Sequence, residues 1–168
     1  MTAPLELPEP EDAFDEKLLA DVRDVGWHCV RVADEHHPEH AAANRALPSH
    51  AVYDAAFAYT AGLWLTRAHP ELVLVGRWQH AHAILAAVVS LIDEGNRFRA
   101  DAVSDQVLDG YEVRFGAVAA SRRTELLTYA DWLNLRRPFD ALQVILPDRQ
   151  GNWPGDRGYA ACPQPLLA

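Results

Sequence analysis

Leu72 to Val75 form an unbroken apolar run that ends at Gly76, and half of it is β-branched. Such a run reads as a short, fully buried β-strand. Any fold this chain adopts must build its core around that strand. Directly in front of it stand His69, Pro70 and Glu71. Two ionisable groups at the mouth of a core strand are costly unless each finds partners. Either they cap the strand or they line a site.

The rest of the chain supplies the elements that surround this strand. Phe14, Leu18, Leu19 and Val22 follow helical spacing, which predicts a helix over 12–24 that Gly26 can end. Ile84, Leu85, Val88, Val89 and Ile92 make one apolar stripe, which predicts a helix over 78–94 with His80 at the core's edge. Ser121 can cap a third helix over 121–134, closed by Pro138. Strands are expected at 27–33, 55–62, 71–76, 105–108, 111–117 and 140–146. The loop between the second and third strands is short, so they pair antiparallel. The pair Asp109-Gly110 favours a type I′ hairpin turn. These readings predict an α+β fold: a mainly antiparallel sheet, or a small partly closed barrel, with about three helices. Residues 1–11, acidic and carrying Pro4, Pro8 and Pro10, read as a flexible leader, and 12–168 as a single domain.

Bulk properties exclude several functions. A chain of 168 residues is long enough to bury roughly two-thirds of its unfolded surface. Its net charge of −9 argues against nucleic acid and against anionic membranes as partners. The longest apolar stretch, near Ala83 to Ile92, is about half a bilayer span. The N-terminus lacks the basic and apolar regions of a secretory signal, and Cys29 and Cys162 form no C-x-x-C pattern. The expected location is cytoplasmic, with free thiols. The single lysine, Lys17, lies in an acidic stretch, which disfavours a Schiff-base mechanism. No G-x-S-x-G elbow, G-x-G-x-x-G or Walker loop is present, so no cofactor can be named from a motif.

The densest chemistry by count is "DEHHPEH", Asp34 to His40. His36 and His40 have a zinc-compatible spacing, but Pro38 interrupts the helix that would align them. A solvated loop is expected there, with no resident metal on His36, His37 and His40. His80 and His82 would diverge on a helix, which argues against a joint metal site.

The strand mouth remains. A hairpin return would bring Tyr59 and Thr60 close to His69 and Glu71, with Gly62 allowing close backbone approach. In one reading these residues form a small-molecule site. His69 is then the general acid/base, oriented by Glu71. Thr60 and Gln143 are polar positioners for the ligand, Asp148 adds a second carboxylate, and Tyr59 and Trp153 form aromatic walls. In the other reading the chain is a non-catalytic interaction or accessory module. The "GNWPGDRGY" segment is then a docking surface and the polar set is structural. Either reading is compatible with a homodimer.

At these residues the chain resembles a bacterial family, the "domain of unknown function 4262". The likeness runs from about Gly26 to Leu167. It is carried by "YTAGLW", "HPELVLVG", "ALQVILPDRQGNWPG" and "PQPLL", with Tyr59, Thr60, Gly62, His69, Pro70, Glu71, Gln143, Asp148, Trp153 and Gln164 at motif positions. The resemblance implies no particular reaction. The His-rich excursion and Ala61 after Thr60 depart from the family's usual look. A more distant likeness, a "T-x-G-L" strand end meeting a "P-x-L-V" opening, is to flavin-reductase-like split barrels. It implies a barrel-like sheet and FMN or a related ring as a ligand.

Overall fold

A computed structural model describes residues 4–32, 56–76 and 78–168. The chain opens with α1 (Ala13–Asp24), whose N-cap Asp12 accepts a hydrogen bond from the Asp15 amide at 2.9 Å. Then come β1 (His28–Val32), β2 (Phe57–Ala61), α2 (Leu63–Arg67) and β3 (Glu71–Val75). A 3-10 turn, Trp78–His80, leads into α3 (Ala81–Asp93). The hairpin β4 (Val103–Leu108) and β5 (Tyr111–Ala117) follows, then α4 (Ala120–Leu126), α5 (Thr128–Leu133) and β6 (Ala141–Ile145).

The strands form one open sheet in the order β1-β2-β3-β6-β5-β4. β3 lies inside it, antiparallel to β2 and parallel to β6. Its unbroken apolar sequence follows from that position, because both faces are covered. Leu72 and Leu74 pack with Leu85 and Val88 of α3. Val73 and Val75 pack with Leu18 and Val22 of α1 and with Ala130 and Leu133 of α5. The parallel β3–β6 pair requires a long crossover, and α3, the β4–β5 hairpin, α4 and α5 together provide it.

The fold is α+β, as expected, with differences that have local causes. The sheet is mixed and open, with no barrel closure: the other four neighbouring pairs are antiparallel, but β3–β6 is parallel. The described residues contain five α-helices, where about three were expected. One is α2, which occupies the expected hairpin loop. The other arises because the expected 121–134 helix breaks at Leu127, whose φ of −94° and ψ of 53° leave the helical region, into α4 and α5. That helix starts from Ala119, so Ser121 is not its cap. At the 109–110 turn only Gly110 has positive φ, 78°, whereas type I′ needs it at both positions. His80 is exposed and precedes α3 instead of packing at its edge. The His36–His40 stretch lies outside the described residues.

One glycine fixes how closely α1 and α2 approach. Gly62 has φ of +126°, and a Cβ there would sit 2.6 Å from the Gly26 carbonyl oxygen and 3.0 Å from Trp27 Cα. Both contacts are backbone, so neither can swing away. Gly62→Ala is expected to destabilise the fold by about 2 kcal/mol or more. Urea unfolding with an unchanged m-value would report it.

Candidate functional site

α2 begins without help from its own sequence, because its N-cap residue is Gly62 and carries no side chain to accept the first amides. Glu71, the first residue of β3, does this from across the turn. Its Oε1 accepts from the amides of Gly62 at 2.9 Å and Trp64 at 3.1 Å. Its Oε2 accepts from the Leu63 amide at 3.2 Å and the Thr60 hydroxyl at 2.7 Å. A carboxylate suits the positive end of a helix. Glu71 is fully buried, and burial pushes its pKa up to about 7, against the pull of those four donors. Thr60 completes the unit: its hydroxyl oxygen accepts from the Leu72 amide at 2.9 Å, standing in for a backbone carbonyl at the end of the β2–β3 ladder.

His69 faces a different element. Its Nδ1 is 2.8 Å from the Pro70 carbonyl oxygen, a bond it can make only as N–H. Its Nε2 accepts from the Phe98 amide at 3.1 Å. The two bonds select the neutral Nδ1–H tautomer. Burial lowers the imidazole pKa, opposed by the Pro70 carbonyl and reinforced by Arg97. The ring stands edge-on to Phe98, and Phe98 stacks on Phe115 at 4.4 Å. His69 therefore clamps the segment after α3 onto the sheet. The side-chain bonds of Glu71 all go to Thr60 and the start of α2, so Glu71 does not orient His69 as the sequence suggested.

The remaining candidates have similar partners. Tyr59, fully buried, accepts from the Tyr129 amide at 3.1 Å and so caps α5, another helix whose own N-cap residue makes no side-chain bond. Gln143 on β6 donates to the Pro165 carbonyl and accepts from the Leu167 amide, at 2.8 and 2.9 Å. Gln164 returns the gesture, donating to the Leu146 carbonyl and accepting from its amide. Two side-chain amides thus zip the C-terminal segment onto β6. Asp148 organises the 148–160 loop through the amides of Gln150, Asn152 and Ala160 and the Asn152 side chain. Burial acts to raise its pKa, but these bonds hold it below the usual carboxylate range. Trp153 lies in the same loop, with the Arg114 guanidinium 3.9 Å above its ring.

The structure joins Thr60 to Glu71 directly. It does not gather His69, Gln143 and Asp148 into one concavity: the cleft that Gln143 lines includes neither of the other two. That cleft, about 540 Å³, is bounded by Val103, Arg114, Ala117, Gln143, Ile145 and Leu166. Arg114, which no sequence pattern marks, stands out only once the register sets it beside Ile145 and the loop lays Trp153 against it. Among the described residues no group of three His, Cys, Asp or Glu side chains could hold a metal ion. No helix among them is long and apolar enough to cross a membrane.

Comparison with curated proteins and with solved structures found no match to the chain. The model of one family, described as "Domain of unknown function (DUF4262)", matches residues 21–160. That span contains Glu71 with the α2 amides it caps, His69, Gln143 and the Asp148 loop, and the chain belongs to that family.

Proposed function

We propose that this chain is a non-catalytic interaction module, docking a protein partner on the open face of β4, β5 and β6. The observation that carries this reading is how the polar residues at the strand mouth are used. Each buried oxygen or nitrogen that could have done acid/base chemistry is bonded to a backbone group or to a neighbour inside the fold. An acid/base role for His69 would first have to break the Phe98 bond. The outward residues of the hairpin, by contrast, stay open. Val103, 52% exposed, and Leu166, 60% exposed, line one cleft together with Arg114, whose guanidinium lies over the Trp153 ring. Apolar residues framed by an aromatic–Arg pair are what docking surfaces commonly offer. A competing reading keeps the small molecule but moves it from His69 to this cleft, beside Gln143 and Arg114. The cleft volume of about 540 Å³ favours it, since ligand pockets span about 300–1,000 Å³.

A photo-crosslinking residue placed in cells at Val103 or Leu166, and at exposed Ser90 on α3 as control, separates the readings. One protein adduct from positions 103 and 166, and none from 90, is the expected result. Val103→Asp with Leu166→Asp should reduce that adduct at least tenfold while changing stability by only about 0.5 kcal/mol, as surface substitutions do. Failure to form an adduct, together with a small molecule released from the purified protein by heat, would replace the docking reading with the ligand one.

A further inference from the structure

At the other edge of the sheet, α1 and β1 place a carboxylate against an imidazole. Gly26, with φ of 89°, turns the chain so that β1 runs back along α1. Asp21 Oδ2 then lies 2.6 Å from His28 Nδ1, and Lys17 Nζ lies 3.1 Å from Asp21 Oδ1. The His28 bond holds the Asp21 carboxyl below its usual range. An ionised carboxylate can only accept, so the proton of the pair sits on Nδ1 and a neutral ring offers Nε2 as an acceptor. Among the described residues Nε2 has no hydrogen-bond partner, although the His28 side chain is only 12% exposed. A ring nitrogen without a protein partner beside a cleft is open to an outside donor.

The surroundings suggest one. His28 lines a cleft of about 410 Å³ together with Trp27, Cys29 and His82. The Trp27 and His82 rings stack at 5.8 Å with 18° between their planes, so two aromatic rings border the cleft. Burial pushes the Cys29 thiol up, which makes it a neutral wall and a poor nucleophile. No metal-holding group of three ligands exists here among the described residues.

We propose that this cleft binds a flat aromatic molecule that donates one N–H or O–H to His28 Nε2 and lies against the Trp27–His82 pair. Asp21 is the positioning residue, because it fixes which ring nitrogen accepts. The inference stands apart from the docking face, which occupies the opposite edge of the sheet. If the pair served only to tie α1 to β1, its loss would cost stability and the cleft would bind nothing.

Indole and 1-methylindole test this, since they share a shape but only indole carries the donor. Titrations would be followed by NMR of protein labelled with ¹⁵N-histidine. The expected result is that indole shifts the His28 Nε2 resonance and binds at least tenfold more tightly than 1-methylindole. His28→Phe keeps a ring in place and should erase that preference. Asp21→Asn should weaken indole several-fold while leaving 1-methylindole unchanged. Trp27→Ala should weaken both. Equal affinity for the two probes, or no binding of indole by the folded wild-type protein, would overturn the proposal.

Discussion

Glu71→Ala is expected to destabilise the protein by about 5 kcal/mol, more than any other single replacement at the strand mouth. The substitution leaves two buried amides, one half-buried amide and one buried hydroxyl without their acceptor. Each such orphan costs about 1–3 kcal/mol, and bonds to a charged acceptor lie at the strong end. Water entering the vacated space recovers part of that sum, which is why the expectation falls below a simple total. Glu71→Gln should be milder but still severe, because its amide nitrogen would face an N–H donor. The charge has its own signature. The folded pKa of Glu71, about 7, lies above its ordinary 4.5, so the folded state holds the proton more tightly than the unfolded chain. The stability this contributes is fully present below about 4.5 and is lost as pH rises through 7. Glu71→Gln should remove that slope. Urea midpoints for both proteins between pH 4.5 and 8 would check it; a Glu71→Ala protein within 1 kcal/mol of wild type would exclude the capping account.

What could be read in advance was whatever depends on neighbours along the chain. The run Leu72–Val75 announced a doubly covered strand, and it lies inside the sheet under helices on both faces. The stripe from Ile84 to Ile92 announced α3. Partners far apart in sequence were not legible. Nothing local to β3 or β6 says that they run parallel, because the crossover that decides it is more than sixty residues long. α2 was invisible for a related reason. "LWLTR" is short and has no capping residue before it, and its cap comes from Glu71, beyond the turn.

The site residues divide in the same way. That Thr60 and Glu71 would meet followed from the antiparallel return of β3 on β2, and they do, at 2.7 Å. What they do there could not be inferred, because a buried carboxylate reads the same in sequence whether it faces a ligand or a helix terminus. Gln143 shows the difficulty most plainly. An amide interrupting "ALQVIL" signals that a buried partner exists, but the partner is the backbone of the segment ending in Leu167. Such an amide announces that it is bonded; which group it bonds depends on chain more than twenty residues away.

His69→Ala should cost about 3 kcal/mol, and the manner of the loss identifies the role of the ring. Removing it opens a cavity beside Phe98, orphans the Phe98 amide and frees the segment that seats Phe98 on Phe115. Hydrogen exchange should therefore quicken first at residues 96–98, ahead of the sheet. The pH dependence is opposite in sign to that of Glu71. Burial lowers the folded pKa of His69 below its ordinary 6.5, so the unfolded chain binds the proton more readily. Its contribution is present above pH 6.5 and is lost as pH falls through the folded value, where a protonated Nε2 could no longer accept from the Phe98 amide. The two groups oppose each other below pH 6.5, where both titrate, so wild type alone shows only their sum. Subtracting the His69→Ala curve isolates the histidine, and the difference should shrink steadily as pH drops below 6.5. A clamp predicts this stability loss together with undiminished crosslinking from Val103 wherever the variant is folded. A ring that instead left stability unchanged on removal, yet abolished crosslinking or ligand retention, would belong to a site, and the catalytic reading of His69 would have to be restored.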